Sequence, residues 1–105
     1  MKTTDLLQHI RQRLEAEYGP RLRGVWLYGS EARGEADLDS DIDLLVLLDG
    51  PVETFEQIKR IVDVLYTLQL KAPDRPIHAF PVDVKEFEEQ ELFVYRRVAR
   101  EGVQL

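Results

Sequence analysis

The order of hydrophobic patterns along this chain predicts an α+β domain, a small mixed sheet with helices packed on it. Three observations carry that prediction. Apolar residues recur at gaps of three and four in long segments near the start and the middle of the chain, the spacing of a buried helix face. Short runs of branched and aromatic residues lie between them, the composition of strands. One of these runs, Asp41 to Leu48, is nearly continuous in Leu, Val and Ile, as expected of a central strand covered on both faces. The resulting order is helix, strand, strand, helix, strand, helix.

The first helix spans residues 4 to 18, with Leu6, Leu7, Ile10, Leu14 and Tyr18 as its apolar stripe. Thr3 or Thr4 is its expected N-cap, Asp5 suits its first turn, and Gly19-Pro20 ends it. Leu22 to Tyr28 is the first strand, ended by Gly29. Residues 30 to 33 can form a helical turn that Gly34 breaks, and Ala36 to Ser40 is an acidic loop. After the second strand, Asp49-Gly50-Pro51 signals a turn. The second long helix runs from Glu53 to Leu70, with Phe55, Ile58, Ile61, Val62, Leu65 and Leu68 as its expected buried face. Thr54 and Gln57 have the spacing of a capping box. Ile77 to Val84 is the third strand, and Pro81 places it at a sheet edge or on a bulge. The last helix is expected from Lys85 to Glu101, with acids in its first turns, Arg96, Arg97 and Arg100 at its end, and Gly102 just past it.

The 105 residues suffice for one small domain. A composition 44% hydrophobic and 32% charged fits a soluble globular chain. No apolar run approaches the ~20 residues of a membrane span, and residues 1 to 14 resemble neither a signal nor a transit peptide. The lack of cysteine excludes disulfides and thiolate metal sites and fits a cytoplasmic protein. A net charge of -6 gives no general attraction to nucleic acid. The expected partners are small molecules carried as metal complexes, or a basic protein. A chain this small can also leave apolar surface uncovered, which admits a partner or a homo-oligomer.

The stretch from Gly29 to Val46 concentrates the chemistry. It holds six acids, Glu31, Glu35, Asp37, Asp39, Asp41 and Asp43, around a single base, Arg33. Such a density of negative charge calls for water or a cation. Residues two apart in a strand share a face, so Asp41 and Asp43 project together while Ile42 and Leu44 point the other way. Paired carboxylates suit a hard divalent cation, and magnesium fits best because it takes one or two carboxylates with phosphate oxygens and water. Gly29 permits a tight turn and close approach of a ligand. The amides that follow, with the Ser30 hydroxyl, can donate to phosphate. The chemistry implied is phosphoryl or nucleotidyl transfer. A calcium loop fails, because an EF-hand count from Asp37 puts Ile42 and Leu48 at the required Gly and Glu, and a count from Asp39 puts Leu44 and Gly50 there. No Gly-Lys-Ser or Gly-Lys-Thr of a Walker loop occurs.

Gly29-Ser30, ten residues, then Asp41-x-Asp43 resembles the signature of minimal nucleotidyltransferases in the DNA polymerase β-like superfamily. The resemblance covers most of the chain, but only residues 29 to 46 are specific. It implies a polymerase β palm-like fold, with Gly29 and Ser30 on the nucleotide phosphates and Asp41 and Asp43 on one or two Mg2+ ions. It further implies transfer of a nucleoside monophosphate from a nucleoside triphosphate, ATP first, to a hydroxyl acceptor. Many such proteins are antitoxins paired with a small helical HEPN-domain toxin, and some silence it by adding adenylate. The alternative is an antitoxin of this fold, weak or inactive as a catalyst, that neutralises the toxin by binding alone.

Active members place a third carboxylate within the next core strand. Here Ile77 to Val84 has no acid at its middle. Asp83 lies near its end, Asp74 in the loop before it, and His78 nearer the expected level, where it can act as a base. The departure bears on catalysis rather than on nucleotide or metal binding. Arg33 suits a triphosphate or a tether for the acidic loop. Trp26 is expected in the core and His9 on the surface. Arg96, Arg97 and Arg100 read as a solvated helix end, and Glu86 to Glu91 as a solvated face that can also meet a basic partner.

Overall fold

The computed structural model describes residues 1–32, Gly34 and residues 40–105, with backbone alone at Ser30 and Glu31. Arg33 and the acids Glu35, Asp37 and Asp39 lie outside the described residues. The elements are α1 (Thr3–Tyr18), β1 (Leu22–Tyr28), α2 (Gly29–Ala32), β2 (Ile42–Leu48), α3 (Thr54–Lys71), β3 (Ile77–Asp83), α4 (Val84–Glu88), α5 (Phe93–Glu101) and β4 (Val103–Gln104). A 3-10 turn, Gly19–Arg21, links α1 to β1.

The strands form one mixed sheet in the order β3-β2-β1-β4. β1 is antiparallel to both β2 and β4, and β2 is parallel to β3. Alternation along β2 divides the core. Ile42, Leu44, Val46 and Leu48 pack with Leu6, Ile10 and Leu14 of α1 and Ile61, Leu65 and Leu68 of α3. Leu45 and Leu47 pack on the other face with Val82, Val84, Phe87, Tyr95 and Val98, from β3, α4 and α5. The central strand is thus buried on both sides, as its composition requires. β3 lies at an edge of the sheet, as Pro81 indicates. Trp26 is half-buried, its ring tilted against Phe87 with centroids 5.7 Å apart.

Several local expectations are corrected. Lys2, not a threonine, is the N-cap of α1, and Thr3 is inside the helix, where its hydroxyl accepts a hydrogen bond from Arg75 at 2.9 Å. The Thr54–Gln57 capping box does not form. Gln57 is buried instead and accepts the Tyr18 hydroxyl at 2.7 Å, so each satisfies the other inside the core. Phe55 is 79% and Val62 58% exposed. α3 therefore has two adjacent apolar stripes, and the sheet covers only one. The last helix is two helices, interrupted at residues 89–92 with Gln90 at φ 54°. Gly102 has an extended φ of -78°. Its need is room, since a Cβ there would lie 2.6 Å from the Val98 carbonyl oxygen and 2.9 Å from that of Leu27. β4, which the sequence pattern did not announce, pairs Val103 with Leu27 and Gln104 with Trp26.

Candidate functional site

β1 and β2 run side by side in opposite directions, so the turn that leaves β1 lies at the start of β2. Tyr28 pairs with Asp43. Gly29 follows at φ +76°, a left-handed conformation that favours glycine. A Cβ at Gly29 would lie 2.7 Å from Asp43 Oδ2. The glycine turn and the second aspartate of the motif are therefore in direct apposition. Side chains are not described at Ser30, and Arg33 lies outside the described residues.

Ile42 and Leu44 point into the α1/α3 core, which leaves Asp43 on the opposite face with Leu45 and Leu47. Asp41 is exposed just ahead of β2. The parallel register sets Asp43 level with His78 on β3. His78 Nε2 lies 3.2 Å from Asp41 Oδ2. Partial burial pushes the Asp43 carboxyl above the usual carboxylate range; the nearby His78 imidazole offsets part of this, and Asp41 adds to it. The Tyr28 hydroxyl is pushed up by burial and then by the Asp43 charge.

The Asp83 alternative is removed by the register. Asp83 pairs with Leu48, five residues along the strand from the His78–Asp43 level, a separation of about 16 Å at the rise of a strand. Its carboxylate accepts from the Lys85 amide at 2.9 Å and caps α4. Among the described residues, no three His, Cys, Asp or Glu side chains form a ready-made metal cluster. The donor set still fits a hard cation shared with phosphate. Asp41 and Asp43 supply carboxylate oxygen, and Gly29 puts no side chain of its own against Asp43.

Two positioning residues escaped sequence reading. Arg75 donates from Nε to the Ser40 carbonyl at 2.7 Å and from Nη1 to Thr3 Oγ1 at 2.9 Å, fixing the backbone immediately before Asp41. Gln69 donates to the carbonyls of Ala72 and Arg75, both at 3.0 Å, and accepts the Ile77 amide at 2.8 Å. It thereby sets where β3 starts and so the level of His78. The Ile42 amide closes the arrangement on the Pro76 carbonyl at 2.8 Å. The one sequence signal was a polar loop between two apolar elements, which does not name its partners.

The model of the nucleotidyltransferase domain family matches residues 7–104. A Sulfolobus solfataricus protein assigned as a nucleotidyltransferase superposes with a TM-score of 0.68 at 22% identity, over 95% of this chain and 76% of that one. A toxin–antitoxin structure with AMP-PNP gives 0.58 at 19% identity, over 92% and 70%. A mutant of the toxin–antitoxin MntA–HpeT gives 0.59 at 19% identity, over 93% and 70%. At these identities the likeness establishes the fold. No curated protein matches the chain.

Proposed function

The chain belongs to the nucleotidyltransferase domain family, and on that premise we propose that residues 1–105 form a minimal domain that transfers a nucleoside monophosphate from ATP to a hydroxyl of a partner protein. The observation that carries this is the apposition of Gly29 and Asp43 across the β1–β2 pair. Asp41 and Asp43 would hold Mg2+, which neutralises triphosphate charge when bound. The amides after Gly29 receive phosphate oxygens. In the reaction the acceptor oxygen forms a bond to the α-phosphorus, the bond from that phosphorus to the bridging oxygen breaks, and pyrophosphate leaves. The acceptor's proton passes to a base, and in this reading His78, 3.2 Å from Asp41, takes it.

The partner in this reading is a small helical HEPN-type toxin, and the chain is its antitoxin. Likeness to two toxin–antitoxin structures supports it, as does the apolar surface that Phe55, Val62, Phe80 and Phe93 leave uncovered. Among the described residues β3 sets His78, not a third carboxylate, level with Asp43, which favours a second reading, neutralisation by binding alone. Intact mass spectrometry of the chain with the protein encoded beside it, Mg2+ and ATP separates them. One added nucleoside monophosphate on the partner, absent with Asp43→Asn, supports transfer. A stable complex without added mass supports the second reading, and neither complex nor added mass overturns both.

A further inference from the structure

Sequence reading leaves the three arginines of α5 in solvent, but the fold gives one of them a different setting. Tyr95 and Val98 are buried against β2 and α4 and anchor α5 on the sheet. Val94, Arg97 and Glu101, three and four residues apart, make a second stripe along the same helix. With Tyr28, Gly29 and Val98 they line a cavity of about 340 Å3. Gly29 therefore belongs both to this cavity and to the contact with Asp43. The far end of the wall is held in place, because β4 pairs with β1 directly after α5 and Gly102 fits between the Val98 and Leu27 carbonyls.

The side chains lining the cavity suit a flat heteroaromatic ring. Tyr28, Val94 and Val98 offer apolar surface, and its volume is in the range of small-molecule sites. Arg96 sits over the Phe93 ring, 5.5 Å from its centroid. Arg97 instead pairs with Glu101 at 3.2 Å, an exposed contact one helical turn away. Such pairs are weakly held, so the guanidinium can exchange this partner for a ligand at small cost. A planar guanidinium stacks on aromatic rings and donates to ring acceptors.

We infer that this cavity is the nucleobase subsite, with the base between Val94, Val98 and Tyr28 and Arg97 as its polar contact. The inference rests on the proposed transferase reading and deepens it, because it assigns the wall that selects the base. It places the triphosphate at the Gly29 turn and the base against α5.

Calorimetric titration of the metal-loaded protein with AMP-PNP, and separately with tripolyphosphate, which has no base, tests it. Val94→Trp fills the cavity from an exposed position, and Arg97→Ala removes the contact. Both should bind AMP-PNP about tenfold more weakly, the loss of one base-stacking interaction, while tripolyphosphate binds as in the parent and the melting temperature holds. Unchanged AMP-PNP affinity in both variants overturns the subsite and leaves the transferase reading standing. Parallel loss of tripolyphosphate in Arg97→Ala overturns it too, by making Arg97 a phosphate ligand. A parent protein that binds neither compound overturns the subsite together with the transferase reading.

Discussion

Asp43 and Asp83 lie at opposite ends of the β2–β3 pair, and each is pressed against a glycine. Gly29 leaves room for Asp43, and Gly50 leaves room for Asp83, whose carboxylate would collide with a Cβ there. Their surroundings differ in kind. The Asp83 carboxylate accepts a backbone amide of the helix it caps. Among the described residues no hydrogen bond reaches the Asp43 carboxylate, which is raised in pKa by burial, with the His78 imidazole offsetting part of the rise and the Asp41 carboxylate adding to it. A satisfied carboxylate stabilises a fold. A partly buried one beside a glycine, with no hydrogen bond from the described residues, leaves its oxygens for a ligand. The same pair of residue types thus makes a joint at one end and a candidate site at the other.

Alanine at each glycine should pull the two ends apart. Gly29→Ala forces a side chain into the left-handed region at φ +76° and onto Asp43, at a conformational cost of about 1–2 kcal/mol. Transfer should fall by roughly a hundredfold, because a displacement of order 1 Å at the reacting centre is enough for that. Gly50→Ala should disturb the α4 cap and lower stability while leaving AMP-PNP affinity unchanged. Activity assays, calorimetry and denaturant unfolding on both variants check this. If Gly50→Ala weakened AMP-PNP binding as Gly29→Ala does, the two ends would not be functionally distinct.

The site end was legible in sequence because its logic is local. A period of two puts Asp41 and Asp43 opposite Ile42 and Leu44, and a glycine after an apolar run marks the turn. The small mixed sheet followed from equally local signals, and Pro81 left an edge or a bulge for β3, of which the sheet order gives the edge. What stayed hidden depends on partners distant in the chain. Gln57 is polar and sits where a cap was expected, yet it is core because Tyr18 reaches it. The apolar stripes of α3 are adjacent, and periodicity does not say which one the sheet will cover. The acids from Glu86 to Glu91 read as unbroken helix, yet the chain turns at Gln90 and brings Phe87 and Tyr95, on either side of the turn, together with their rings 6.0 Å apart. Arg97 looks like its neighbours until β4 fixes α5 beside Gly29.

A smaller effect is expected from the cap. Asp83→Ala removes the acceptor of the Lys85 amide and should cost about 1 kcal/mol, the usual loss of an N-cap side chain. It lies about 16 Å along the strand from the His78 level, so transfer and AMP-PNP binding should be those of the parent. Denaturant unfolding beside a transfer assay reads both. A loss of transfer without a loss of stability would return Asp83 to the site and break the distinction drawn above.

The smallest expected effect concerns Asp43 in the metal-free protein, and its sign is the sharpest test of the comparison. Burial raises the folded-state pKa of Asp43 above the ordinary carboxylate value that the unfolded chain keeps. Between those two values the folded chain binds more protons than the unfolded one. Stability therefore falls as pH rises through that window and remains lower above it, where the charged form prevails in both states. Asp43→Asn removes the charge, so its melting temperature at neutral pH should equal or exceed that of the parent while transfer is lost. The difference should shrink as pH falls through the raised folded-state value toward the ordinary carboxylate range, where the parent carboxyl gains its proton. Asp83→Ala should show no such gain at neutral pH, since it deletes an accepting carboxylate rather than a repelled one. A fall in melting temperature for Asp43→Asn at neutral pH would mean that Asp43 holds the fold together as Asp83 does. The site end would then lose the one physical property that separates it from the joint.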